Sequence, residues 1–477
     1  MVLLSLACVA QHAPVESFRA GEVHGAVAEQ AALADSGGRQ QALHRLRLAS
    51  MLLALGDPDQ AELPLRQASL EMQDFEADGE FRALVGREST KSWKGEPYEK
   101  MAAFLTLGAV LQQSGDHGNA RAMYKSAVLA DAGTVEERYR SDFVAPLVLQ
   151  GLSYDGQQKT GQAERAYRRA TDALYSQVTI ARLSEVLGAL QVDTDAERLA
   201  QTLLIRGLAA GGTAFPRDPV RAAEGALSQA MDVYRLERDR RPRDRHPDVR
   251  GVLEETWDQV PTALDVLGGE LVQQAAALNP QTWTGIEAQA AWLAELHESP
   301  PSAVLLIEAG EGPHKAREGS YGQLMVIREG TPARAPEVRV GEQPVELFPL
   351  DSYSYQATTR GGRRVDAFLE GKAVYKDASY VTGWVLWEVA DVLAQGRETA
   401  QAIAGVLYVT GCVLMVSSVA TMPQADIREW GMLPEQLFLA PLWLSPGQHT
   451  VMVQGEPVVV DVPQDGQAFR LVVRPAG

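Results

Sequence analysis

Cysteine is scarce. Cys8 and Cys412 are the only thiols in 477 residues, too few for a disulfide framework or a structural zinc site. Basic residues are in deficit as well: 44 Lys and Arg stand against 62 Asp and Glu, a net charge of −18. Such a balance argues against sequence-independent nucleic-acid binding, which needs a cationic surface to displace counterions. Glycine and proline, at 42 and 25 residues, are too few for a collagen-like or low-complexity chain. The sequence has no GxxxxGK[ST] phosphate loop, no HExxH and no GxSxG elbow. Its eight histidines are scattered without metal-ligand spacing. No catalytic residue, cofactor or metal follows from these residues, and a non-enzymatic role is expected. What is present is apolar content: 45% hydrophobic residues suffice for real cores, and at roughly 150 residues per domain the length suggests about three units.

The chain begins MVLLSLAC, a short apolar stretch ending on Cys8. It resembles the end of a bacterial lipoprotein signal, with Ala7 in the small position before the cysteine. Leu6 and Ser5 depart from the usual pattern, and no basic residue precedes them. The resemblance implies that residues 1–14 are a truncated signal and anchor, with Cys8 acylated. Val9 is not the Asp that retains such proteins at the inner membrane, so the periplasmic face of the outer membrane is the expected address. An ordinary apolar N-terminus on a cytoplasmic protein is the alternative.

Residues 15–300 have helical periodicity, rich in Ala, Leu, Gln and Glu. Within 101–134, Phe104, Leu107, Gly108, Leu111, Gly115, Ala120, Tyr124 and Ala127 fall at the signature spacings of a tetratricopeptide repeat, which the segment resembles. Gly108 and Ala120 are expected where two helices cross closely, and Gly115 in the turn between them. Copies run over 42–75, with Gly56 at the turn, and over 144–177, where Gln158 replaces the turn glycine. The expected fold is an α-solenoid of such repeats, closed by Pro300-Pro301. Its concave face is the candidate groove for a protein partner, and helix spacing nominates Arg45, Lys100, Thr106 and Gln150 as groove residues.

From Ser302 the period changes. "SAVLLIEAG", "GQLMVIRE", "EVRVGEQPVELF" and "SYSYQAT" read as strands, so 301–432 is expected to be an α+β domain. It includes apolar helices at 379–394 and 399–422. The uncharged run at 399–425 is long enough to span a bilayer, but its polar residues and the lack of a basic flank favour a hairpin buried in its own domain or in an oligomer interface. Cys412 is expected to be an inert core thiol there. The tail, 433–477, reads as a module of short antiparallel strands separated by turn signals.

The strongest functional candidate is 355–377, which concentrates Arg360, Arg363, Arg364, Lys372 and Lys376 in an acidic chain. Together with His314 in the glycine-containing loop 308–319, these are candidates for an anion or small-ligand site. Pairing with nearby Asp and Glu is the plainer expectation. The stretches "KGEPYEKM", "EAGEGPHKAREG", "QATTRGGRRVDAFLEGKAVYKD" and "ADIREWGMLPEQLFLAPLWLSPGQHTV" resemble an uncharacterised family of bacterial envelope lipoproteins with tetratricopeptide repeats. The resemblance implies an envelope scaffold or adaptor that binds a partner protein. It carries over no catalytic residue.

Overall fold

A computed structural model describes residues 13–73, 92–132, 143–211, 217–241, 249, 252–278, 284–318, 324–331, 334–358 and 426–473. Cys8, Cys412, Arg360, Arg363, Arg364, Lys372, Lys376 and the apolar stretches 379–394 and 399–422 lie outside the described residues. The described chain is mostly helical up to Glu298, with three small sheets after it.

The helices, in order, are α1 (Val23–Asp35), α2 (Gln41–Ala54), α3 (Pro58–Gln73), α4 (Pro97–Gln113), α5 (His117–Ala132), α6 (Ala145–Asp155) and α7 (Thr160–Ala189). They form three helical hairpins, α2 with α3, α4 with α5 and α6 with α7; α3 packs on α4 and α5 on α6. The hairpins share internal geometry. A Cβ on Gly108 would lie 2.4 Å from the ring of Tyr124, and one on Gly151 would lie 2.5 Å from Tyr167. The two tyrosine hydroxyls donate to Gln112 Oε1 and Asp155 Oδ2, each at 2.8 Å. Small residues are therefore required where the ring of the second helix crosses the first. Ala49 and Leu65, both fully buried, hold the corresponding places in the first hairpin.

The turns repeat too. Gly56 and Gly115 have φ of 77° and 84°, and Gln158 takes the same left-handed backbone with φ 57°. The glycine that the third copy lacks is thus replaced by a side chain held in the conformation glycine prefers.

α7 is long, at 30 residues, and belongs to two cores. Ala163, Tyr167 and Ala170 complete the hairpin core, whereas Leu183 and Leu187 join a second one. That second core is closed by α8 (Asp195–Gly211), α9 (Pro219–Asp239), the short α10 (Glu254–Trp257) and α11 (Val260–Ala276). α12 (Thr284–Glu298) returns to pack on α6 and α7.

The strands follow at once. β1 (Ala303–Ala309) lies between β7 (Gln436–Leu442), antiparallel, and β10 (Ala468–Val473), parallel; β6 (Phe348–Ser352) completes this sheet. A second sheet has the order β5 (Gln343–Pro344), β4 (Val338–Val340), β8 (Gly447–Val453), β9 (Glu456–Val462). β2 (His314–Glu318) and β3 (Leu324–Arg328) form a separate hairpin. β1 is buried along its whole length, as a continuous apolar run predicts for a strand covered on both faces. Ala303, Leu305 and Ile307 meet Val338, Val451, Val453, Val460 and Val462 of the second sheet. Val304, Leu306, Leu437, Leu439 and Leu471 turn the other way and join the core of the helical hairpins.

Two sequence expectations change here. "SYSYQAT" is not a strand: β6 ends at Ser352, and Tyr353–Thr358 is a short helix, α13. The Ser352 hydroxyl accepts from the Tyr355 amide at 3.1 Å, which starts the helix, and Tyr353 and Ala357, four apart, are both buried. Nor do the strands of 433–477 stand apart as an antiparallel module. β7 and β10 flank β1, and β10 pairs with it in parallel.

Candidate functional site

The first helices of the hairpins, α2, α4 and α6, are the surface on which a groove was expected. The chain's own second half covers it. β10 packs on α2 and α4, and α13 packs on α4. The Leu471 amide donates to Gln113 Oε1 at 2.9 Å, and the Ala145 amide at the start of α6 donates to Asp351 Oδ2 at 2.6 Å.

Between α2, α4 and the β2 hairpin lies residues 426–433, without helix or strand, bound mainly through its backbone. Arg47, 1% exposed, donates from Nε to the Trp430 carbonyl at 3.1 Å and from its terminal nitrogen to the Glu429 carbonyl at 2.8 Å. Glu99, 0% exposed, accepts the Trp430 amide on Oε1 at 3.0 Å. Its other oxygen accepts the Glu96 amide at 2.8 Å, which closes a capping box on α4, and Lys315 Nζ at 2.5 Å. Lys315 Nζ also donates to the Arg428 carbonyl at 3.0 Å, as does Trp93 Nε1 at 3.1 Å. The Trp430 indole, 2% exposed, is buried with its Nε1 donating to Ser50 Oγ at 2.9 Å. Each buried charge thus has a charged partner or a carbonyl, the condition for tolerating it in a low dielectric.

The titrations follow from this packing. Burial lowers Arg47 to about 10, against the raising influence of Glu429 and Glu99. Burial pushes Glu429 up, but hydrogen bonds from His314 and the Lys315 amide, with their charges, hold it below the ordinary carboxylate value. His314 is correspondingly raised by its hydrogen bond to Glu429, 3.4 Å away.

The nominated residues are placed as follows. Arg45 pairs with Glu71 and is half-buried. Lys100 is largely buried, which lowers its pKa, as does the neighbouring Lys94. Thr106 and Gln150 are buried at 6% and 3% exposure, on helix surfaces turned into the molecule. His314 is engaged with Glu429, and the other five residues nominated for the anion site are outside the described residues. Gly312 and Gly330 have a packing reason. A Cβ on Gly312 would lie 2.7 Å from the Pro434 carbonyl oxygen, and one on Gly330 would lie 1.8 Å from that of Glu311.

Sequence reasoning missed Arg47, Glu99, Lys315 and Trp430. The Glu96 and Glu99 spacing before an apolar run carried the capping-box signal, but nothing local linked it to residues more than 200 positions away. Among the described residues no group of three His, Cys, Asp or Glu could hold a metal, and no described helix is long and apolar enough to cross a membrane. No protein-family model matches the chain, and neither does any curated protein or solved structure.

Proposed function

We propose that the chain is a non-enzymatic scaffold of the cell envelope, in which tetratricopeptide-like repeats hold the chain's own β-sandwich and the assembled surface recruits a partner protein. The observation that carries this reading is the filling of the first-helix face by 426–433 and by the sheet around β1. Repeat arrays use that face to bind extended peptides and folded domains, and here an extended peptide and a folded sheet of the same chain are bound there. The buried charges around Glu99 are spent on this attachment and offer no nucleophile paired with a base. Acylation of Cys8 and residence at the outer membrane belong to the same proposal, on the sequence resemblance alone. A small-ligand role for 308–319 with 355–377 is the weaker reading, since Gly312, Gly330 and His314 are engaged in packing.

The test is capture with in-cell crosslinking from detergent-solubilised envelope. One reproducible protein partner, crosslinked to the outer surface of the helices or the sandwich, supports the scaffold. Recovery of no reproducible partner, or crosslinks confined to the Arg47–Trp430 region, would sink it. Cys8→Ser should move the protein from the membrane fraction to a soluble one.

A further inference from the structure

A cleft of about 380 Å³ lies between α12 and the β-sandwich, away from the Glu99 cluster. That volume is within the range of small-molecule sites, about 300–1,000 Å³. Two tryptophans line it. Trp443 is 56% exposed, an unusual position for the largest apolar side chain, yet it is fixed: its Nε1 donates to the Ser299 carbonyl at 3.1 Å. Trp292 is held by stacking on Phe348, with ring centres 3.7 Å apart and planes within 4°. Pro344 and Pro441 contribute walls without N–H groups to satisfy. The charge in the cleft has one sign. Glu295 and Glu346 line it, neither is ion-paired among the described residues, and no Lys, Arg or His is in the lining.

Rigid indole faces beside unpaired carboxylates select a particular chemistry. An indole face attracts a cation through its quadrupole, most strongly when the cation is poorly hydrated. The carboxylates add a field that a neutral ligand does not use and an anion opposes. We propose that this cleft is a binding site for a small free organic cation, a quaternary or alkylated ammonium on an apolar body, with Trp443 and Trp292 contacting the cation and Glu295 and Glu346 providing the countercharge. A ligand with phosphate next to its ammonium fits less well, because the carboxylates repel it.

Calorimetric titration of the full chain with choline, its neutral isostere dimethylbutanol and phosphocholine tests this. Choline is expected to bind saturably, and both other compounds to bind roughly two- to fivefold more weakly, the discrimination expected of a cation–aromatic contact at a partly exposed site. Trp443→Ala should abolish choline binding, and Glu346→Gln should weaken it several-fold; both side chains are exposed, and unchanged thermal unfolding of each variant shows that the fold is kept. Equal binding of choline and dimethylbutanol would make the cleft merely apolar and overturn the proposal. So would absence of saturable choline binding, or wild-type affinity in Trp443→Ala.

Discussion

Gln158 sits in a left-handed turn where the two earlier hairpins use Gly56 and Gly115. A side chain in that conformation costs about 1–2 kcal/mol, partly offset by the entropy glycine loses on folding. Gln158→Gly is therefore expected to stabilise the hairpin region by about 0.5–1 kcal/mol, and Gly115→Ala to destabilise it by about 1 kcal/mol, both read from the midpoint of chemical unfolding. Gly151→Ala tests a different cause. Its new methyl would press on the Tyr167 ring, and overpacking of that kind costs about 1–3 kcal/mol. Gly161→Ala, with open space around it, is the control. Gly56, Gly115 and Gln158 were legible in the sequence because each obeys a turn rule within one hairpin. Glu308 was not legible. It sits in a strand that reads as apolar, beside a small cavity of about 30 Å³ lined also by Arg19 and Ser50, and burial pushes its carboxyl up to about 8 from 4.5. Folded, it keeps its proton at neutral pH; unfolded, it loses it. The unfolded state thus binds fewer protons between pH 4.5 and 8, and the contribution of Glu308 to stability, full below that window, is lost as pH rises through it. Glu308→Gln should flatten this part of the stability profile and gain on the order of a few kcal/mol at its alkaline end. An unchanged slope in urea titrations at several pH values would count against a buried neutral carboxyl.

At the scale of elements, the helical hairpins and most strands could be read from periodicity, because each buries a face set by its own 3.6- or 2-residue period. The stretch 353–358 was misread because its alternating aromatic and polar residues suit a strand, and only the Ser352 hydroxyl on the Tyr355 amide shows the helix start. The extended stretch 426–433 had no period to read. Its conformation is imposed by donors and acceptors on Arg47, Trp93, Glu99 and Lys315. Removing one of them should release it. Lys315→Met leaves the Glu99 carboxylate without its ammonium, and loss of one member of a buried pair costs about 3–5 kcal/mol. Trypsin should then cut after Arg428, whose carbonyl is held by Lys315 and Trp93 in the wild type, and mass spectrometry of the early fragments identifies that cut. Resistance equal to wild type would mean that the Lys315 contacts do not hold the segment.

The sequence changes character at Pro300-Pro301, and the molecule changes from helix to strand there: α12 ends at Glu298 and β1 starts at Ala303. A change of secondary structure is not a separation of cores. Val304, Leu306 and Leu439 share one apolar cluster with Leu46, Phe104 and Leu147, a feature invisible to composition because it depends on which sheet face meets which helix face. An engineered protease site within 299–302 is therefore expected to give two fragments that co-elute in gel filtration without denaturant; fragments that separate would show that the two parts fold independently. The position of β10 beside β1 also bears on the order of synthesis. The third hairpin is complete at α7, yet the sheet that covers its first helices cannot close until β10, some three hundred residues after the start of α7, has left the ribosome. At about 5–20 residues per second that is roughly 15–60 s of translation, during which the nascent hairpins hold an uncovered apolar face. The helical hairpins are thus the first part of the molecule to be made and the last to be covered.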